Sequence, residues 1–112
     1  MFGEPLSQTK LKTILQELKG ELANILGEQL DAVYLYGSQA RGDARPGSDI
    51  DVLVVVSGNF DDEHLQAVTS YPAWKLSLEN DVVITLVFMS REEYEAVDTP
   101  FLANVHREAL RI

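Results

Sequence analysis

The chain has 112 residues, 46% hydrophobic and 24% charged, with no cysteine and a formal net charge of −9. That length supplies one hydrophobic core, so a single domain over residues 1–112 is expected, and the composition excludes disordered, collagen-like and disulfide-stapled classes. So negative a charge argues against long nucleic acid as a ligand, because neutralising phosphates needs clustered Lys and Arg.

From Ser7 onward, Leu11, Ile14, Leu15, Leu18, Leu22, Ile25 and Leu26 recur at spacings of three, four and seven, the stripe of an amphipathic helix, with Gly27 as its stop. Residues 32–36 read as a strand by their β-branched and aromatic content. That strand delivers Gly37 and Ser38 to a turn, residues 39–41 suit a short helical turn, and residues 42–47 are dense in turn formers. A second strand, Ile50–Val56, is apolar enough beyond its first carboxylates to be covered on both faces. Asp61 and Asp62 open a helix through Tyr71, which Pro72 is expected to interrupt or kink before a second piece to about Glu79. Residues 82–89 form a third strand. Ser90 and Glu93 then have the spacing of a capping box before a short helix. Thr99 and Pro100 start a last helix with Phe101, Leu102, Val105 and Leu110 on its apolar face. This order predicts an α/β (α+β) fold, a small mixed β-sheet of three or more strands flanked by helices. No run approaches the ~20 apolar residues that cross a bilayer, and residues 1–10 lack a signal-peptide pattern, so a cytoplasmic protein without membrane partners is expected.

Asp49 and Asp51 stand two residues apart at a strand start, so their carboxylates face one way while Ile50 enters the core. Crowding two anions is costly, and hard divalent cations are the usual compensation. Mg²⁺ is the natural candidate, since it takes one or two carboxylates and completes its shell with water and substrate phosphates. Gly37 lets the backbone approach an anion, the Ser38 hydroxyl adds a donor, and Arg41, with Arg45 from the loop, can reach the same phosphates. A Gly-Ser pair or an Asp-x-Asp alone means little, whereas both in a strand, turn, strand context mark a nucleotide site. His64 and His106 belong to no ligand cluster and read as surface or packed residues. Asp61, Asp62 and Glu63 are explained by the dipole of the helix they open. Tyr71, Trp74 and Tyr94 are expected in tertiary packing.

Tyr34-Leu35-Tyr36-Gly37-Ser38-Gln39-Ala40-Arg41-Gly42, with Pro46-Gly47-Ser48-Asp49-Ile50-Asp51-Val52-Leu53-Val54, resembles the signature of the minimal nucleotidyltransferases of the DNA polymerase β superfamily. The resemblance implies two metal ions held by Asp49 and Asp51 and a triphosphate on the Gly37-Ser38 turn. An acceptor hydroxyl would attack the α-phosphorus and pyrophosphate would leave. It also implies a third carboxylate on a later strand, near Val83. The sequence is neutral there, so Asp81 is the candidate catalytic acid, on the same face about 7 Å along the strand. Asp81 suits a cap at the strand start equally well.

Relatives with other acceptors carry extra domains that bind them, and the short-domain members pair with helical HEPN-type toxins. The expectation that follows is Mg²⁺-dependent transfer of AMP from ATP to a tyrosine hydroxyl of a HEPN-type partner, an antitoxin activity. The acidic excess is compatible with a basic protein partner, with phosphates bridged by metal cations, or equally with solubility alone. Two other readings remain open: a module that neutralises its partner by binding alone, and a transferase for an aminoglycoside-like small molecule. The second would draw its acceptor pocket from a homo-oligomer.

Overall fold

Helix α1 (Gln8–Leu26) begins where the Ser7 hydroxyl accepts from the Lys10 amide at 3.1 Å, satisfying one of the open donors of the first turn. In this computed structural model residues 7–112 are described; part of the segment searched for a signal-peptide pattern, residues 1–6, lies outside them. The stripe expected of α1 is the one it buries: Leu11, Ile14, Leu15, Leu18, Leu22 and Leu26. Gly27 ends it with φ 55°, and one 3₁₀ turn leads into β1 (Leu30–Tyr36), two residues earlier than the composition suggests.

The short helix α2 (Ser38–Arg41) follows at once, and β2 (Ile50–Val56) returns antiparallel to β1, with Tyr36 opposite Asp51. Residues alternate along β2. Ile50, Val52, Val54 and Val56 enter the larger core with α1 and α3, while Leu53 and Val55 pack with Ala32 and Val105 on the opposite face. Burying each such side chain stabilises the fold by roughly 1.5–3 kcal/mol, so β2 is the spine on which the rest is fixed.

Helix α3 (Asp62–Asn80) is capped by Asp61, whose carboxylate accepts from the amides of Glu63 and His64. It runs unbroken through Pro72, contrary to the expected interruption. Pro72 is buried in line with Leu65, Thr69 and Leu76, so packing outweighs the lost backbone hydrogen bond. The helix ends at Asp81, in the left-handed conformation with φ 53° and ψ 48°. Strand β3 (Ile84–Ser90) starts two residues later than expected and pairs parallel with β2, giving the sheet order β3-β2-β1-β4. Two α3 side chains reach this outer strand: the Ser77 hydroxyl accepts from the Ile84 amide and the Gln66 amide donates to the Leu86 carbonyl, both at 3.1 Å.

Ser90 and Glu93 close the expected capping box on α4 (Arg91–Ala96). Thr99 caps α5 (Pro100–Glu108) by accepting from the Leu102 amide at 3.1 Å. Leu110 does not belong to that helix. With Arg111 it forms β4 (Leu110–Arg111), a two-residue strand beside Tyr34 and Leu35. Four strands in a mixed sheet, with helices on both faces, match the architecture expected from the element order. Among the described residues no helix is long and apolar enough to cross a membrane.

Candidate active site at the carboxylate pair

Strand β1 ends at Gly37, whose φ of 76° and ψ of −158° belong to a region only glycine occupies readily. A Cβ there would overlap Oδ2 of Asp51 and come within 3.3 Å of its Cγ. The missing side chain is thus the space that the Asp51 carboxylate fills. The Gly37 carbonyl accepts from Ala40 and Arg41, both at 3.1 Å, so the amides of Ser38 and Gln39 lie ahead of the first bond of the turn.

The loop back to β2 is held at two points. Ser48 closes a turn by accepting from the Arg45 amide at 2.8 Å and donating its own amide to the Arg45 carbonyl at 2.9 Å. Buried Gln39 donates to the Ser48 carbonyl at 3.5 Å. Asp49 therefore leaves a fixed turn, exposed, and Asp51 follows on β2, half-buried. Burial raises the Asp51 carboxyl above the usual carboxylate range, Asp49 pushes it the same way, and Arg41 opposes both. Burial and then Asp51 raise the Tyr36 hydroxyl too. Excess negative charge at one sheet end is what a hard cation relieves, so the pair fits Mg²⁺ completed by phosphate oxygens and water.

Arg41 is exposed and held by two acids: its Nε lies 3.2 Å from Oδ2 of Asp43 and its Nη1 lies 3.4 Å from Oε2 of Glu108. It sits near enough to Asp51 to act on it electrostatically, at the mouth of a cavity of about 330 Å³. Tyr36, Gly37, Phe101, Asn104 and Glu108 also line this cavity, with the Tyr36 and Phe101 rings edge to face at 5.6 Å. None of Phe101, Asn104 and Glu108 was distinguishable as a site residue in the sequence, because α5 reaches the pair only through tertiary packing. Arg45 is exposed in its turn.

Asp81 does not lie on β3. It occupies the left-handed cap of α3 and lines a shallow cavity of about 210 Å³ with Trp74, Ser77, Leu78 and Val82. The face-sharing expected between Asp81 and Val83 therefore fails, since the strand begins after both. Among the described residues no group of three carboxylates, histidines or cysteines is placed to hold a metal ion. In the parallel register the residue beside Asp51 is Thr85, exposed and on the same face. Thr85→Asp is expected to tighten Mg²⁺ binding by about tenfold through the added ligand charge, with Asp81→Asn leaving it unchanged. Titration calorimetry with Mg²⁺ checks this; a loss on Asp81→Asn would make that residue the third ligand.

Comparison with known proteins places these features in a family. A family model described as a nucleotidyltransferase domain matches residues 10–108. A protein of Methanocaldococcus jannaschii, named as a candidate protein adenylyltransferase, is 30% identical over 99 residues, which cover 88% of this chain and 95% of that one. A chain of a toxin–antitoxin complex solved with AMP-PNP superposes with a TM-score of 0.61 at 22% identity, covering 86% of this chain and 69% of that one. A chain from the Shewanella oneidensis complex of a tri-AMPylated HEPN toxin with an MNT antitoxin gives 0.54 at 20% identity, covering 95% and 71%. From the first turn of α1 to the last residue of α5, the chain belongs to the nucleotidyltransferase domain family.

Proposed function

We propose that this nucleotidyltransferase moves AMP from ATP to a tyrosine hydroxyl of a HEPN-type helical protein, and thereby acts as its antitoxin. The observation that carries the reading is the Asp49 and Asp51 pair, with Asp51 seated against Gly37, beside the cavity lined by Tyr36, Arg41, Phe101 and Asn104. Adenylyl transfer to protein is also the activity named for the archaeal relative. Asp49 and Asp51 would hold Mg²⁺, which supplies neutralisation of the charge that develops on the phosphate oxygens.

The chain's own groups orient the nucleotide. The Gly37-Ser38 turn receives the triphosphate, with the Ser38 hydroxyl and the amides at the head of α2 as donors. The cavity takes the nucleoside, with Phe101 and Tyr36 as its aromatic walls and Asn104 as a polar contact. Arg41, already held by Asp43 and Glu108, faces the phosphates from the rim as a fixed cation. In the step itself the tyrosine oxygen bonds to the α-phosphorus, the bond from that phosphorus to the bridging oxygen breaks, pyrophosphate leaves, and the hydroxyl proton passes to water.

The raised Asp51 carboxyl carries a stability signature. The folded chain holds that proton more tightly than the unfolded chain does, so the ionised form costs stability above the folded-state value. The cost fades as pH falls through that value toward 3.8, the ordinary one. In metal-free buffer at pH 7, Asp51→Asn is expected to raise Tm by about 1–3 °C, a gain that shrinks in acid. Added Mg²⁺ should stabilise only the wild type, by mass action on its folded state. Calorimetric scans across pH with and without Mg²⁺ measure both effects.

The reading is tested by incubating the purified chain with Mg²⁺, labelled ATP and a HEPN-type helical protein from the same organism, then mapping the label by mass spectrometry. Label on a partner tyrosine, absent with Asp49→Ala, supports it. A second reading draws on the lack of a three-ligand group among the described residues: a module that neutralises by binding alone. It predicts neutralisation without label, unaffected by Asp49→Ala.

A further inference from the structure

The two sides of the aspartate pair differ. On the β1 side stand the Gly37-Ser38 turn, Arg41 and the cavity walled by Tyr36 and Phe101. On the β3 side the neighbour of Asp51 is Thr85, and the two share a face of the sheet. The alternation of β3 agrees with this. Ile84, Leu86 and Phe88 enter the larger core, while Val87, two residues beyond Thr85, packs with Leu53 and Val55 on the face of the pair. Thr85 is exposed, and so is Val83, whose carbonyl accepts from the Ile50 amide at 2.8 Å. This side of the pair is therefore open and without charge.

Substitution at phosphorus fixes where an acceptor stands, because the attacking and departing oxygens lie in line on opposite sides of the phosphorus. With pyrophosphate leaving toward the Gly37-Ser38 turn, the acceptor oxygen comes from the other side, over Thr85. A threonine hydroxyl can orient another hydroxyl by a hydrogen bond, but it takes no proton from it at neutral pH. Among the described residues no third carboxylate or histidine gathers with Asp49 and Asp51 to do so.

An acceptor at this place must therefore bring an oxygen that ionises readily without help. A phenol ionises near pH 10, whereas an aliphatic hydroxyl resembles water, at about 15.7. That gap is roughly five orders of magnitude in ionised fraction, and a less basic oxygen gives back only part of it through weaker nucleophilicity.

We propose that Thr85, in the place a base would occupy, restricts the site to phenolic hydroxyls and rejects the aliphatic hydroxyls of serine, threonine and sugars. This deepens the reading above and rests on it. The phenol proton passes to water, the phenolate oxygen bonds to the α-phosphorus, and the electron pair of the broken bridge leaves with pyrophosphate. Thr85 is thus a specificity-determining residue.

The test uses the full chain with Mg²⁺, labelled ATP and a HEPN-type helical protein from the same organism, followed in single turnover. The partner is supplied unaltered, with fluorinated tyrosine, whose phenol ionises at lower pH, and with the labelled tyrosine replaced by serine. At neutral pH the wild-type chain is expected to label the fluorinated form about threefold to tenfold faster than the unaltered one, and the serine form at least about 100-fold slower. Thr85→Asp supplies a base at the same place. It should cut the advantage of fluorination to below about twofold and raise labelling of the serine form about tenfold or more. Thr85→Val, which keeps the shape without the hydroxyl, should retain the wild-type preferences. Thermal scans establish that both variants fold, as expected at an exposed position. Serine labelled within tenfold of tyrosine, no acceleration by fluorination, unchanged preferences in Thr85→Asp, or altered ones in Thr85→Val would each overturn the proposal while leaving AMP transfer standing. No label on any form of the partner would instead remove the transfer reading, and this inference with it.

Discussion

If the proposed AMP transfer runs through the aspartate pair, Asp51→Asn is expected to lower its kcat/KM by about three to four orders of magnitude, a loss of roughly 4–5 kcal/mol in the transition state. The substitution keeps the size of the side chain and removes its charge, on a strand whose neighbours Ile50, Val52 and Leu53 are fully buried. The fold should therefore persist, and circular dichroism with a thermal scan confirms that the comparison is between folded proteins. Asp49→Asn should lose activity comparably and raise Tm by less than Asp51→Asn does, because burial is the larger cause of the Asp51 cost and Asp49 only the second. Single-turnover labelling of the partner measures both. Retention of activity within tenfold for Asp51→Asn would remove the pair from the chemistry.

Gly37→Ala is the second large effect, and it acts on stability and binding together. The backbone at Gly37 lies where an L side chain is strained by about 1–3 kcal/mol. The added methyl would also fall on the Asp51 carboxylate. Either the strand end shifts or the carboxylate is expelled, and both outcomes separate the turn from the aspartate pair. We expect a loss of about 2–4 kcal/mol in unfolding free energy and no measurable Mg²⁺-ATP binding. Gly42 supplies the control. It too has positive φ, 83°, yet a Cβ there meets nothing within 4 Å. Gly42→Ala should therefore cost about 1 kcal/mol and keep ligand binding. Equal behaviour of the two variants, in denaturant titration and in calorimetry, would show that the contact with Asp51 is irrelevant.

Elements governed by local rules were legible in the sequence, and those governed by distant contacts were not. The stripe of α1, the apolar run of β2, the Ser90 and Glu93 capping box and the Thr99-Pro100 start are each written within a few residues. The interruption expected at Pro72 does not occur, because its local tendency to break a helix is outweighed by burial beside Leu76, which only the packed molecule supplies. The two-residue β4 has no periodicity to read; it exists because Leu110 and Arg111 lie opposite Leu35 and Tyr34. At the site, Gly37, Ser38, Asp49 and Asp51 were visible because strand, turn and strand bring them together across a short loop. The hold of Glu108 on Arg41 spans 67 residues and left no trace in the motif. The place beside Asp51 depended on the parallel register of β3, so spacing alone pointed near Val83 and to Asp81 where pairing selects Thr85.

The hydrogen bonds from α3 to β3 have a consequence for assembly. An outer strand of seven residues without lysine or proline is a template on which another chain can add a strand, the first step toward aggregation. On β3 the outward amide of Ile84 and the outward carbonyl of Leu86 are already taken by Ser77 and Gln66. A foreign strand pairing along the Ile84–Leu86 part of that edge would have to displace two side chains of the protein's own helix. Main-chain pairing is thereby discouraged at the edge, which leaves recognition of other proteins to side chains.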